Sequence, residues 1–280
     1  MSERVVSYDG TPVVGAEMAA CPAPGMHRVR EDLFWFHPCD GGEVYFLKAP
    51  GGLVMVDSSF HQHRDAILAG LREHGLDPQE IVLGIATHVH VDHVGGLGWW
   101  AREFLFPVMA HYVAAPALES ADPLSTSAVF PYRTETFIPC PVARQVRHGD
   151  RVEIGGVRLE VSAAPGHTDG GIHVRCGEYF FVGDSLFADG GVGWIDVHWG
   201  SNPVDYLETL ERMRPHIGAL TLAGHGAPYC LTAAQIERGK SIVSFYLPPA
   251  HGFGCPRPPS AYARAEFTHS NSVSGGIARA

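Results

Sequence analysis

Four potential metal ligands lie within six consecutive residues of this chain. They are His88, His90, Asp92 and His93, in the run His-Val-His-Val-Asp-His. Imidazole and carboxylate groups are the ligands that zinc and similar borderline metals prefer. The chain holds 17 histidines in 280 residues, so a histidine-rich surface loop is the alternative. The spacing and the setting of the run favour a metal site.

Three further candidate ligands follow apolar segments elsewhere in the chain. They are His167 in Ala-Pro-Gly-His-Thr, Asp184 in Gly-Asp-Ser and His225 in Gly-His-Gly. Each segment has the composition of a strand, and a glycine beside each ligand allows the backbone to turn sharply. A single histidine beside a glycine is usually a polar turn residue, but seven donors in one kind of setting indicate one site. Open sheets hold such sites at the carboxyl ends of their strands.

The segment patterns predict strands and helices in an order that occurs twice along the chain. Predicted strands lie at 33–36, 43–48, 53–57, 81–87, 107–111, 152–154, 157–161, 172–175, 179–182 and 219–222. Predicted helices lie at 62–74, 97–104, 203–214 and 232–246. Two halves packed sheet to sheet, with helices outside, satisfy this order. The sequence therefore predicts an α/β (α+β) fold, a four-layer αββα sandwich.

Composition divides the chain into three parts. Residues 1–30 are rich in Pro, Gly and Ala and predict an irregular N-terminal arm. Residues 31–247 contain the predicted elements and ligands and form the predicted domain, and residues 248–280 predict a Pro/Gly-rich tail. Within the domain, residues 114–140 carry prolines and aromatics without a sustained period. This stretch is either a substrate-binding loop or a surface loop without a binding role.

Charge and hydropathy restrict the expected partners. The formal net charge is −10 and no Lys/Arg cluster is present, so we expect no nucleic-acid partner. There is neither an apolar run of the roughly 20 residues that cross a bilayer nor a signal-peptide pattern. We therefore expect a cytoplasmic protein without a membrane partner that acts on a small molecule, and a homo-oligomer stays open. The six cysteines include no C-x-x-C pair, which indicates reduced thiols.

The motifs resemble those of the metallo-β-lactamase-fold hydrolases, a superfamily that includes glyoxalase II, lactonases and other thioester and ester hydrolases. The similarity lies in Thr-His-x-His-x-Asp-His at 87–93, Pro-Gly-His-Thr at 165–168, Gly-Asp-Ser-Leu-Phe at 183–187 and Gly-His-Gly at 224–226. A Val-Asp pair at 56–57 resembles the family's first motif. The resemblance implies the same αββα sandwich.

The resemblance also implies a dinuclear metal centre with two Zn²⁺ ions, for which Fe or Mn are alternatives. The first ion would be held by His88, His90 and His167. The second would be held by Asp92, His93 and His225, with Asp184 as the bridge between the two. Asp57 resembles the family's buried aspartate, which orients ligands rather than binding the metal.

The implied reaction is hydrolysis of an ester, a thioester or a lactone. Two metal ions about 3.5 to 4 Å apart lower the pKa of a shared water towards neutrality. The resulting bridging hydroxide would attack a carbonyl that one ion polarises, and Asp92 would also act as a catalytic residue by orienting the hydroxide. The alternative from another class is a mononuclear iron enzyme resembling persulfide dioxygenases, and a further one is a non-catalytic protein that binds a partner.

Departures from the best-known relatives restrict the substrate only in part. A bridging Asp184 resembles glyoxalase II and lactonases and differs from true β-lactamases, which makes β-lactam hydrolysis a side activity at most. Trp194 stands where glyoxalase II-type enzymes have an arginine, and it suggests an apolar or aromatic acyl group. The candidate substrate-binding residues are Tyr132, Trp194 and His198, of which Tyr132 and His198 are also candidate proton donors to the leaving group.

Overall fold

Two β-sheets packed face to face form the centre of the protein, and helices cover both outer surfaces. The computed structural model describes residues 23–38, 40–128, 137–196 and 200–247. The predicted four-layer αββα sandwich is confirmed. No helix in the described ranges combines the length and the apolar character that a bilayer-crossing segment requires.

The first sheet contains seven strands in chain order. They are β1 (Gly25–Arg28), β2 (Leu33–His37), β3 (Val44–Ala49), β4 (Gly52–Val56), β5 (Ile81–Ile85), β6 (Val108–His111) and β7 (Arg144–Val146). Short turns join β1 to β4, which pair antiparallel, whereas helical connections make β4 to β7 parallel neighbours.

The second sheet contains six strands in the order β13-β12-β11-β10-β9-β8. They are β8 (Arg151–Ile154), β9 (Val157–Ala163), β10 (Ile172–Cys176), β11 (Tyr179–Gly183), β12 (Leu220–Ala223) and β13 (Tyr229–Cys230). Gly155 and Gly156 join β8 to β9 with φ angles of 58° and 81°, the left-handed conformations that a tight two-residue hairpin requires. Only β11 and β12 are parallel, and a helix connects them.

Six α-helices cover the sheets in the described ranges. They are α1 (Arg64–Glu73), α2 (Val91–Val94), α3 (Leu97–Glu103), α4 (Ala115–Ser120), α5 (Pro203–Arg212) and α6 (Ala233–Ser244). The Asn202 side chain caps α5 by accepting two backbone N–H bonds, and Pro203 fits its first position. Thr232 and Gln235 form a reciprocal capping box at α6.

Three apolar clusters hold the layers together. The central cluster joins the two sheets and includes Tyr45, Val56, Ile85 and Phe181. A second cluster packs the first sheet against α1, α3 and α4, and a third packs the other sheet against α5 and α6. Because β4, β5, β9, β11 and β12 are fixed by these cores, the short segments that follow them have rigid starting points.

The structure differs from the sequence predictions in several short elements. Residues 25–28 fall within the predicted irregular arm but form β1, because their backbone pairs with β2. Helix α4 lies in the stretch that showed no sustained period, and α2, β7 and β13 were also not predicted. These elements are too short to show a periodicity, so tertiary contacts determine them. The proposed domain boundaries stay predictions, since residues 1–22 and 248–280 lie outside the described ranges.

Candidate metal centre

All seven predicted ligands converge at one edge of the two sheets. The first group consists of His88, His90 and His167, and the second group of Asp92, His93 and His225; within each group the ligand atoms lie within 4.8 Å of one another. These are the two triads that the resemblance predicts. Tyr132 and His198 lie outside the described residues.

Asp184 lies between the two groups. Its Oδ1 atom is 3.4 Å from Nε2 of His93, and its Oδ2 atom is 3.4 Å from Nε2 of His225. The same Oδ2 atom is 3.6 Å from Nε2 of His167. One carboxylate therefore contacts both groups, which is the position that a bridging ligand requires.

The backbone explains how one short run contributes to both groups. His90 is extended, with φ −64° and ψ 140°, and the one-turn helix α2 begins at the next residue. His88 and His90 belong to the first group, whereas Asp92 and His93 on α2 belong to the second. A backbone N–H of Val91 donates to the Thr126 carbonyl at 2.9 Å and anchors the start of this helix.

Buried Asp57 orients one histidine of each group. Its carboxylate accepts bonds from the Thr87 backbone N–H at 2.8 Å and from the Thr87 hydroxyl at 2.6 Å. The Thr87 oxygen lies 3.0 Å from Nδ1 of His88, and Asp57 Oδ2 lies 3.2 Å from Nδ1 of His93. Since both histidines donate from Nδ1, both direct Nε2 towards the site. Ligand atoms of Asp57, His88 and His93 also lie within 4.8 Å of one another, but the Asp57 oxygens already accept hydrogen bonds.

A backbone carbonyl orients His167 in the same way. Its Nδ1 donates to the carbonyl oxygen of Trp194 at 2.8 Å, which leaves Nε2 with a free lone pair. The Ser201 hydroxyl donates to the His167 carbonyl at 2.7 Å and fixes the backbone of the ligand. Trp194 thus contacts the centre through its main chain, while its side chain is 56% exposed.

The two groups differ in their electrostatics. Burial lowers the pKa of His88 well below its ordinary value, and burial together with neighbouring His167 lowers that of His90 to about 3. Burial also tends to lower the pKa values of His93 and His225, but the carboxylate of Asp184, with help from Asp92, outweighs it. The pKa of His93 rises well above its ordinary value, and that of His225 rises to about 10.

The residues fit a pair of metal cations. The buried Nε2 atoms of His88 and His167 have no hydrogen-bond partner among the described residues, although buried polar atoms normally have one. The Nε2 atoms of His93 and His225 face each other at 3.3 Å, as two ligands of one ion do. A side chain at Gly224 would place its Cβ 2.1 Å from Oδ1 of Asp184, so the glycine leaves room for this arrangement.

A cavity of about 190 Å³ opens onto the ligands. Besides ligand side chains, its walls include Ser127, Phe187, Trp194 and Asp196. The Phe187 ring lies 5.8 Å from the His225 ring, measured between centroids. The cavity therefore combines the polar donor set with an aromatic wall, and no Lys or Arg is among the described residues that line it.

Two residues that support the centre were not identified from the sequence. The Tyr206 hydroxyl donates to the Asp184 carbonyl at 2.7 Å and accepts from the Gly193 N–H at 2.9 Å. The Glu43 carboxylate accepts from the Gly226 N–H at 3.0 Å, beside the ligand His225. The sequence offers one signal for Glu43, a carboxylate beside an otherwise apolar strand, but its partner is 183 residues away.

Comparison with known proteins identifies the family. A model of the Metallo-beta-lactamase superfamily matches residues 37–225. The chain is 30% identical to the probable metallo-hydrolase YqgX of Bacillus subtilis over 188 residues, which cover 65% of this chain and 84% of that protein. The chain therefore belongs to the metallo-beta-lactamase superfamily, and its metallo-hydrolase relatives confirm the predicted class of enzyme.

Two further relatives have names that specify a reaction. The acyl-coenzyme A thioesterase MBLAC2 of Homo sapiens is 31% identical over 147 residues, 47% of this chain and 50% of that protein. The hydroxyacylglutathione hydrolase of Xanthomonas euvesicatoria is 30% identical over 180 residues, 64% of this chain and 58% of that protein. The match thus spans only about half the length of each of these two relatives.

Solved structures show the same fold. The metallo-beta-lactamase family protein TTHA1429 from Thermus thermophilus superposes with a TM-score of 0.64 at 21% identity, covering 78% of this chain and 81% of that one. The protein TTHA1623, solved in a di-iron-bound form, superposes with a TM-score of 0.56 at 25% identity, covering 68% and 89%. The first likeness establishes the fold alone.

Proposed function

We propose that this metallo-hydrolase cleaves an ester, a thioester or a lactone at a dinuclear zinc centre. The first group would hold one ion, the second group the other, and Asp184 would bridge them. The observation that carries the proposal is the contact of the single Asp184 carboxylate with His167 of the first group and with His93 and His225 of the second. A closed structural zinc site has no such shared carboxylate, because four protein ligands surround one ion.

The chain's own residues supply orientation and a place for the substrate. Bound metal cations supply a Lewis acid for the carbonyl and a water of lowered pKa. Asp57 and the Trp194 carbonyl hold ligand imidazoles in one tautomer, so little rearrangement is needed when the substrate binds. Asp92, which also lines the cavity, would orient the attacking water.

The aromatic wall supports an acyl group with apolar or aromatic surface. Phe187 and the exposed Trp194 side chain stand beside the ligands and offer flat apolar contacts. The names of two relatives, an acyl-coenzyme A thioesterase and a hydroxyacylglutathione hydrolase, support hydrolysis of an acyl compound. We favour thioesters and esters over β-lactams for this reason.

The experiment is a substrate panel on protein of known metal content. We expect ester, thioester or lactone hydrolysis by the zinc-loaded protein, loss of activity on chelation and recovery on adding Zn²⁺. Asp184→Asn should abolish most of the activity, whereas Asp65→Asn, the same change at an exposed site in α1, should not. Activity that survives both chelation and Asp184→Asn would overturn the proposal.

Metal analysis of the same protein distinguishes the alternative chemistry. We expect two zinc ions per chain. One iron per chain, with oxygen uptake on a persulfide, would instead support the persulfide-dioxygenase-like alternative. Iron must be measured alongside zinc because the similar protein TTHA1623 has been solved in a di-iron-bound form.

A further inference from the structure

Glu43 is a buried carboxylate that belongs to neither group of ligands. Its side chain is 2% exposed, and a carboxylate in such a position is costly unless hydrogen bonds compensate for lost water. Oε2 accepts from the Trp35 indole N–H at 2.6 Å. Oε1 lies 2.9 Å from Nδ1 of His37 and accepts from the Gly226 N–H at 3.0 Å. Three partners therefore fix this carboxylate in one position.

Glu43 holds the backbone on both sides of the ligand His225. Its own N–H donates to the Gly224 carbonyl at 2.8 Å, and its side chain accepts from the N–H of Gly226. Next to it in the second sheet, the Ala223 carbonyl accepts from the Tyr45 hydroxyl at 2.7 Å. The hairpin of β2 and β3 in the first sheet thus restrains the segment that follows β12 in the second sheet.

His225 depends on this restraint more than the buried ligands do. Its side chain is 38% exposed, whereas those of His93, Asp92, His167 and Asp184 are 0%, 7%, 6% and 8% exposed. Glycines flank it, and Gly226 has a φ of 84°. Glycine loses more conformational freedom on ordering than any other residue. Because His225 is not fully packed, contacts from outside the segment 224–226 must hold it in place.

We propose that Glu43 is a positioning residue that fixes the segment 224–226 and thereby sets the affinity of the second group for its metal ion. The inference rests on the proposed dinuclear function. The Glu43 side-chain contacts described above reach His225's neighbour Gly226 but none of His88, His90 or His167. The effect of Glu43 is therefore specific to one of the two metal positions.

The test is a stepwise Zn²⁺ titration of metal-free protein by calorimetry, with Glu43→Ala and Glu43→Gln compared with the wild type. Removing a residue that orients a metal ligand lowers metal affinity about 10- to 100-fold. We expect Glu43→Ala to weaken by that factor the binding step that fills the second group, which is the step lost in His225→Ala, and to leave the other step unchanged. Glu43→Gln keeps one acceptor oxygen and the side-chain shape, so it should weaken the same step by a smaller factor.

Glu73→Ala and Glu73→Gln, the same changes at an exposed glutamate in α1, are the matched controls. Glu73 lies outside both groups of ligands, so both zinc affinities should remain as in the wild type. Thermal unfolding of each variant without metal measures any loss of fold; a purely structural role for Glu43 would weaken both zinc steps together.

The outcomes separate this inference from the proposed function. A wild type that binds two ions, together with unchanged affinity of both binding steps in both Glu43 variants, overturns the role of Glu43 alone. Equal weakening of both steps overturns it as well. A wild type that binds fewer than two ions overturns the dinuclear function and the inference with it.

Discussion

The two groups of ligands differ in the pKa values of their histidines. The first group consists of three imidazoles whose pKa values are lowered by burial, so all are neutral at pH 7. The second group contains Asp92 and two histidines whose pKa values are raised by nearby carboxylates. The neutral imidazoles of the first group can bind a metal ion without losing a proton. In the second group, the carboxylates attract either a metal ion or the protons of His93 and His225.

Burial alone does not separate the groups, because each has two buried members and one partly exposed member, His90 in the first and His225 in the second. His88 and His167 are buried, and each is oriented by a fixed acceptor, Thr87 or the Trp194 carbonyl. In the second group His93 is fully buried, but His225 is more than a third exposed. We infer that fixed hydrogen-bond acceptors organise the two buried members of the first group, while charge and a restrained segment organise the second.

The largest expected effect comes from removing one ligand from each group. His167→Ala and His225→Ala should each lower activity by at least about 10²- to 10³-fold, the cost of losing one group that stabilises charge in a transition state. Zinc content should separate them: His225→Ala should retain one ion in the first group, which stays complete. Plasma mass spectrometry on dialysed protein measures this, and two tightly bound ions in His225→Ala would contradict the division into groups.

The pH dependence of zinc affinity should also differ between the groups. A metal ion must displace one proton from His93 and one from His225, because both pKa values lie above 7 without metal, at about 10 for His225. Affinity at the second group should therefore rise about a hundredfold per pH unit between pH 6 and 8, since each displaced proton corresponds to about 1.4 kcal/mol per pH unit. His90, with a pKa of about 3, predicts no such slope for the first group.

Calorimetric titrations in buffers of different ionisation enthalpy measure this difference directly. Proton release should accompany only the binding step that fills the second group. Equal proton release in both binding steps would contradict the difference in pKa values between the two groups.

Asp57→Asn tests the residue that orients one histidine of each group. Asparagine can accept from the Thr87 N–H, but its amide nitrogen can accept from neither the Thr87 hydroxyl nor His93. We expect zinc affinity to fall about 10- to 100-fold, more at the second group, because His93 contacts Asp57 directly and His88 only through Thr87. Stepwise titration measures both constants, and an effect confined to the first group would reverse this order.

Tyr206→Phe should have the smallest effect on the centre. The change removes the Tyr206 hydroxyl from the Asp184 carbonyl and the Gly193 N–H, but these two groups also bond each other at 2.8 Å. The loss is therefore that of about one net hydrogen bond, about 0.5 to 1.5 kcal/mol. Urea denaturation should show a loss of unfolding free energy of that size. Because the bond reaches the main chain of Asp184 and not its carboxylate, both zinc affinities should stay close to those of the wild type.

Much of the fold was predictable because its long elements have a local signature. The strands β2 to β5 and β8 to β12 have apolar sequences that match their burial, and the helices α1, α3, α5 and α6 were expected where they occur. Helix α2 has four residues and β13 has two. Neither is long enough to show a period, so their conformation follows from their neighbours.

The supporting contacts of the site were less predictable than its ligands. Asp57 was identified as an orienting residue from its motif, but its contact with His88 through Thr87 depends on backbone geometry. Trp194 was considered for its side chain, whereas its carbonyl is what contacts His167. A bond to a backbone carbonyl uses a group that every residue carries, so the sequence does not indicate it.

The donors and their setting can be read from the sequence. Seven imidazoles and carboxylates near the ends of apolar segments predict a metal site at the end of a sheet, because residue type and strand period are local properties. Which donors face each other, which nitrogen each histidine presents and which protons it holds follow from the tertiary structure. Those properties depend on burial and on contacts between distant segments, such as His93 with His225 and Glu43 with Gly226.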